Sequence, residues 1–271
     1  MSVSAIYPAR NNGVPAVSAE MIPLAFAGFA HFTAMQVRER AVKGLDLHLA
    51  RLREASVALF GMALPDSRVL EEVWRAVNEG SADQSLTLTF YAPDGEFTAR
   101  SMNVEPAMLI RTGPPSDGPS GPVRLAVVKH ERFLPAIKHV GEGAKTYHLH
   151  RAIEQGFDDA AFTDRSGRLS EGTIWNLAFW DGSAVVWPKA EILKGTMMGI
   201  IQRQLTRAGV PQRYDGIRPE SLDGFSGAAV MNSWTPGVPV TAIGSTQIRE
   251  SKRFMELLHR AYQAEPAIAA P

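Results

Sequence analysis

The stretch IKHVGEGAKTYHLHRAIEQGFDDAAFTDRSGRLSEGTIWNLAFW, Ile137 to Trp180, decides how the rest of the chain is read. Lys138 stands at the end of an apolar segment, and GAKTYHLHRAIEQG after it carries the pattern of a helix. DAAFTD then reads as a strand, a Gly-containing turn leads into SEGTIWN, and NLAFW follows as a short aromatic strand. Taken alone, a lysine and a glutamate are most often solvated surface charges. What accompanies these two is the joint spacing of Lys138, Gly156, Gly167 and Glu171.

That spacing resembles the class IV aminotransferases, the fold-type IV pyridoxal-phosphate enzymes that include branched-chain and D-amino-acid aminotransferases and aminodeoxychorismate lyase. The family pattern is a lysine, a Gly-Xaa-Asp-Asp/Glu-Ala-Xaa-Phe strand, and then Gly-Xaa-Xaa-Ser/Thr-Glu followed by four residues and Asn. Here it reads Lys138, GFDDAAF from Gly156, and GRLSEGTIWN from Gly167 to Asn176. The chemistry of the residues agrees. A lysine amine in a partly desolvated pocket can hold an aldehyde cofactor as a Schiff base, and Ile137 and Val140 flank Lys138 as such a pocket would need. A carboxylate beside a pyridine nitrogen keeps it protonated, so the ring can accept electrons from a breaking substrate bond; Glu171 is the candidate.

The resemblance also implies cofactor contacts elsewhere. Arg51 lies in HLARL, where the family uses an arginine to grip the cofactor phosphate, a task suited to a permanently charged group with paired donors. The family's second phosphate element is a Gly-Ile-Thr turn opening a helix. This chain has ILKGTMMG, so Gly195 is kept while Thr196 and Met197 replace the Ile-Thr pair. Backbone donors survive that change, and Met197 and Met198 also suit a core. Ser233, in MNSWTPGVPV, matches a small hydroxyl residue of the last cofactor loop, and Asn176 ends the glutamate motif. Lys145, in GEGAKT, is a rival lysine, yet the register to Gly156 favours Lys138, and Ala144 stands where a P-loop requires glycine. His148 and His150, two apart on a helix, point to opposing faces, so zinc is not expected. His31, in HFTAMQV, suits either a substrate-side strand or a hydrogen-bonded core.

Composition narrows the class further. The 271 residues suffice for one large domain or two ordinary ones, and 45% hydrophobic with 21% charged residues is the balance of a soluble globular protein. Lys and Arg number 28 against 28 Asp and Glu, so no basic footprint for nucleic acid exists. The absence of cysteine excludes disulfides, thiolate catalysis and cysteine metal sites. MSVSAIYPARNN does not read as a signal peptide, and MIPLAFAGFAHFTAM is too short for a membrane span. A cytoplasmic location is expected.

Along the chain, residues 1–20 read as a loosely ordered arm, LAFAG and HFTAMQVR as strands, and GLDLHLARLREASVALFG as a helix with Leu45, Leu49, Leu52, Ser56 and Leu59 on its apolar face. His48, Arg51 and Ala55 form the neighbouring stripe. A second helix is expected with Asp66 as N-cap and Gly80 as its end. SLTLTFYA and EFTARSMNV flank Pro93-Asp94-Gly95 as a hairpin, and AMLIRT reads as one more strand. The sharpest shift is GPPSDGPSGP. It sets an N-terminal α/β domain at 1–112, a linker at 113–122 and a larger C-terminal domain at 123–271. The expected fold is α+β: two mixed lobes of the fold-type IV kind with pyridoxal 5′-phosphate in the cleft between them. The resemblance further implies a homodimer acting on an amino donor and a keto acid acceptor. Its two rivals are a lyase of the aminodeoxychorismate type and a non-catalytic pyridoxal-phosphate-binding homologue.

Overall fold

Period-two alternation builds the first sheet. In HFTAMQVR the odd positions His31, Thr33, Met35 and Val37 are buried and the even ones are half-exposed, as one buried face of an antiparallel sheet requires. The chain is described here by a computed structural model over residues 9–26, 28–94 and 99–269. Its contacts fall into two units. The first holds the described residues up to Ser116, together with Ile137–Gly141 and those from Ala267; the second holds Asp117–Ala136 and Glu142–Pro266.

In the first unit the elements are β1 (Ala9–Asn11), β2 (Val14–Pro15), α1 (Ile22–Phe26), β3 (Ala30–Arg38), β4 (Ala41–Lys43), α2 (Leu45–Phe60), α3 (Asp66–Glu79), β5 (Gln84–Tyr91) and β6 (Ala107–Gly113). The sheet order is β4-β3-β5-β6-β1-β2, with the strand Ala267–Ala269 added outside β4, and every pairing is antiparallel. Leu52 and Phe60 of α2 and Val69, Val73 and Val77 of α3 share a core with Met35, Val37, Leu86, Leu88 and Phe90. Each fully buried aliphatic or aromatic side chain contributes roughly 1.5–3 kcal/mol.

Several expectations are corrected here. The described start of LAFAG does not form a strand: Ile22–Phe26 is a helical turn, and Pro23, which lacks an N–H for a ladder, is suited to a helix start; residue 27 lies outside the described chain. Within the arm expected at residues 1–20, those from Ala9 are not loose, since β1 pairs with β6; residues 1–8 lie outside the described chain. The partner of β5 is β6, whose first four residues are all buried, while described residues of EFTARSMNV form a 3-10 turn at Ala99–Ser101. Part of that expected hairpin, residues 95–98, lies outside the described chain. Asp66 begins α3 and Pro65 is its cap residue, the Asp66 carboxylate going instead to Arg53 at 2.6 Å.

The inward stripe of α2 is rotated from the leucine pattern and runs through Leu45, His48, Leu52, Ala55, Ser56 and Phe60. Polar matching explains the rotation. His31 Nε2 meets Ser56 Oγ at 2.8 Å, and Thr33 Oγ1 meets His48 Nδ1 at 2.7 Å, so both polar inward residues of β3 find a partner on α2, while the buried His31 Nδ1 has none among the described residues. Burial pulls both imidazoles down to about 3 from 6.5, and Arg51 adds to the effect at His48. An unfolded imidazole therefore binds a proton that the folded one refuses, and stability falls as pH drops from about 6.5 towards about 3. Thermal midpoints recorded across that range should decline, and His31→Gln, which has no imidazole to charge, should decline less. An identical decline in both proteins would contradict this account.

The second unit contains β7 (Val123–Lys129), α4 (Gly143–Glu154), β8 (Asp159–Thr163), β9 (Leu169–Gly172), β10 (Asn176–Trp180), β11 (Val185–Pro188), α5 (Thr196–Arg207), β12 (Gln212–Asp215), β13 (Gly227–Asn232), β14 (Thr235–Ile243), β15 (Thr246–Gln247) and α6 (Lys252–Gln263). The strand order is β12-β11-β10-β13-β14-β7-β8-β9, and β9 pairs again with β10, which closes six of the strands into a ring. The parallel pair β7–β8 takes α4 as its crossover. NLAFW is buried on both faces: Leu177 and Phe179 join one core with Leu125, Leu169, Val230 and Val240, while Ala178 and Trp180 join another with Met197, Ile201, Phe254 and Leu258. No helix among the described residues is long and apolar enough to cross a membrane.

Candidate active site

The ring closes where the glutamate motif lies. Asn176 of β10 stands opposite Glu171 of β9, so the two ends of SEGTIWN are cross-strand neighbours. The loop between them is held by Asp159, which accepts hydrogen bonds from Thr173 Oγ1 at 2.6 Å and Trp175 Nε1 at 2.7 Å. Asp158 accepts from the backbone N–H of Arg124 at 2.7 Å. The two aspartates of GFDDAAF are thus stitches that set the glutamate turn and β7. Sequence reasoning assigned neither of them this role, because nothing in the spacing says which strand end they meet.

Glu171 is 5% exposed. Burial pushes its carboxyl upward, opposed by the charges of Arg132 and Lys145 and by the Leu193 N–H, while Glu142 adds to the rise; the net direction is upward. Arg132 Nη1 lies 3.4 Å from Glu171 Oε1.

Asn176 uses its amide to place the next element. Its Nδ2 donates to the Leu193 carbonyl at 2.7 Å, and its Oδ1 accepts from the Gly195 N–H at 3.0 Å. A Cβ on Gly195 would lie 2.1 Å from that Oδ1, so only glycine allows the approach. Gly195 caps α5, where Thr196 and Met197 are buried and the first N–H groups lack intrahelical acceptors. Such a terminus receives an anion well. The Met197 and Met198 side chains are core, packed with Trp187 and Ile201, so what Met197 offers a ligand is its backbone. Ser233 is half-buried in the turn joining β13 and β14, two residues beyond Met231, the cross-strand neighbour of Asn176. The structure thus gathers Glu171, Asn176, Thr196, Met197 and Ser233 around one end of β10 in the second unit.

Lys138 and Arg51 belong to the first unit. The strap Ile137–Gly141 runs antiparallel to the start of β3: the Phe32 N–H donates to the Lys138 carbonyl at 2.9 Å, and the Val140 N–H donates to the Ala30 carbonyl at 2.8 Å. Lys138 is half-buried, and its Nζ lies 4.7 Å from the Phe32 ring centroid. Ile137 is buried as expected of a pocket wall, but Val140 is 42% exposed. Arg51 is half-buried on α2, one turn after His48. Lys145, the rival lysine, lies on α4 with Nζ 2.7 Å from Glu142 Oε2.

Pyridoxal 5′-phosphate calls for a carboxylate at its ring nitrogen, cationic or N–H donors at its phosphate and an amine at its aldehyde; the second unit holds a buried carboxylate and a helix N-terminus, and the first unit holds Lys138 and Arg51. The mixed strands and helices of both units make the chain α+β. Residues 30–243 match the family model of amino-transferase class IV, and the chain belongs to that family. It is a pyridoxal-phosphate-dependent aminotransferase with amino and keto acid substrates.

Among solved structures, the branched-chain aminotransferase of Thermoproteus uzoniensis with norvaline superposes with a TM-score of 0.80 at 18% identity, covering 94% of this chain and 93% of that one. A hypothetical aminotransferase from Mycobacterium tuberculosis, in its pyridoxal-phosphate-bound form, gives 0.78 at 18% identity over 96% and 98%. A putative 4-amino-4-deoxychorismate lyase from Legionella pneumophila gives 0.80 at 17% over 93% and 96%. At these identities the likeness is one of fold. Comparison with curated protein sequences gives no match.

Proposed function

We propose that this aminotransferase moves an amino group from an amino acid or amine to a keto acid with Lys138 as its working amine and Glu171 as its working carboxylate. The observation that carries the reading is the buried Glu171 set opposite Asn176, whose amide in turn fixes the N-terminus of α5. Pyridoxal 5′-phosphate, when bound, supplies an aldehyde for amines and a ring that accepts electrons. Lys138 Nζ would hold that aldehyde and would take the proton from substrate Cα. The fixed backbone of its strap limits where Nζ can reach, which is the orientation that proton transfer needs. Glu171 would hold a proton on the ring nitrogen. Arg51, the N–H groups of Thr196 and Met197, and the Ser233 hydroxyl would bind the phosphate, and Asn176 serves by placing α5. The reading extends to a homodimer, as the family resemblance implies, and to a cytoplasmic location, as expected from the sequence.

The test is a stoichiometric one. Given an amino donor and no keto acid acceptor, the purified holoenzyme should release one equivalent of keto acid per chain and stop, then resume when an acceptor is added. A lyase would accumulate product without acceptor. A panel of amines giving no product at all would favour the non-catalytic homologue.

A further inference from the structure

Arg132 is a buried charge that no motif explains. Its side chain is 2% exposed, and a guanidinium so placed is costly unless its partners are specific. Its Nε donates to Glu142 Oε1 at 2.5 Å, and Nη1 donates to the Pro135 carbonyl at 2.8 Å and lies 3.4 Å from Glu171 Oε1. Glu142 is clamped in turn by Lys145 Nζ at 2.7 Å. Two cations and two carboxylates therefore form a charge-neutral row, Lys145, Glu142, Arg132, Glu171. The short contacts anchor Arg132 at Glu142 and Pro135. The long one presents a fixed positive charge to Glu171 and leaves that carboxylate able to accept another cation.

We propose that Arg132 is a positioning residue: anchored by Glu142 and Lys145, it holds Glu171 ionised and aimed, and so sets how firmly the cofactor's ring nitrogen is kept protonated. This rests on the reading of Glu171 as the carboxylate facing that nitrogen. Burial drives the Glu171 carboxyl toward its neutral acid, and Arg132 is the largest influence opposing it, ahead of Lys145 and the Leu193 N–H. Glu142 acts with burial, so its role is to hold Arg132 and to be screened by Lys145. A neutral Glu171 could not keep a proton on a pyridine nitrogen, and the electron sink would weaken.

The experiment titrates Glu171 directly in the cofactor-free protein labelled with 13C-carboxyl glutamate, its resonance being the one lost in Glu171→Gln. Arg132→Met should raise the Glu171 midpoint by about one to three pH units, the effect of removing a neighbouring opposite charge. Arg132→Lys should restore most of that shift, and Lys145→Met should raise the midpoint by less. An unmoved midpoint in folded Arg132→Met overturns the proposal. Should that variant not fold, an unmoved midpoint in Lys145→Met together with one in Arg132→Lys that exceeds wild type by the full shift does the same. A separate arm isolates the underlying reading: the 15N shift of the ring nitrogen in protein loaded with 15N-labelled pyridoxal phosphate. If Glu171→Gln leaves that shift unmoved, the reading of Glu171 fails whatever the carboxyl titration gives. If it moves while Arg132→Met leaves the carboxyl midpoint unchanged, only the role of Arg132 fails.

Discussion

Lys138→Ala should abolish the visible absorbance of the lysine-bound cofactor and lower turnover by at least about 10⁴-fold, the upper range for a positioned proton-transfer group. Alanine removes both the amine that binds the aldehyde and the base that takes the Cα proton. The fold should not be disturbed, because the strap is held through the Lys138 carbonyl and the Val140 N–H, which any residue supplies. Lys145→Ala makes the contrast. That lysine is engaged with Glu142 on α4, so its loss should leave the cofactor attached and the absorbance present. Spectra and steady-state rates of both variants decide the matter, and loss of the band in Lys145→Ala alone would reverse the assignment.

Glu171→Gln should leave attachment intact and slow proton abstraction on the order of a hundredfold, the scale of losing one preorganised electrostatic partner. Glutamine keeps the shape of the side chain, and its amide oxygen can still accept from the Leu193 N–H. What it lacks is the negative charge that keeps a proton on the ring nitrogen. Single-turnover rates with a fixed amine isolate this step from product release. A near-normal rate would remove Glu171 from the chemistry.

The sequence carries some parts of this architecture openly and hides others for physical reasons. Strict alternation in HFTAMQVR and the doubly apolar NLAFW announce one strand with a single buried face and one buried on both. SEGTIWN places Glu171 and Asn176 in one motif, and the structure sets them across a strand pair. The helix stripe of α2 was harder to read, since its rotation follows from hydroxyl and imidazole partners on β3 that lie far away in sequence. The β5–β6 pairing was hidden by an attractive local turn at Pro93-Asp94-Gly95, and the more apolar AMLIRT took the place. Arg132 and Glu142 gave no signal. Charged residues in HERFLPAIKHVGEG look solvated until the start of α4 and the end of β9 bring them together. Asp159 likewise shows its part only once Trp175 and Thr173 come within reach of its carboxylate.

The central claim is that Lys138 is the amine to which the cofactor is joined. Borohydride reduction of the holoenzyme makes that link permanent, and proteolysis followed by mass spectrometry then locates the added mass. The account predicts one modified peptide per chain, carrying the label on Lys138 and none on Lys145. A label on Lys145, or on any lysine other than Lys138, would contradict it.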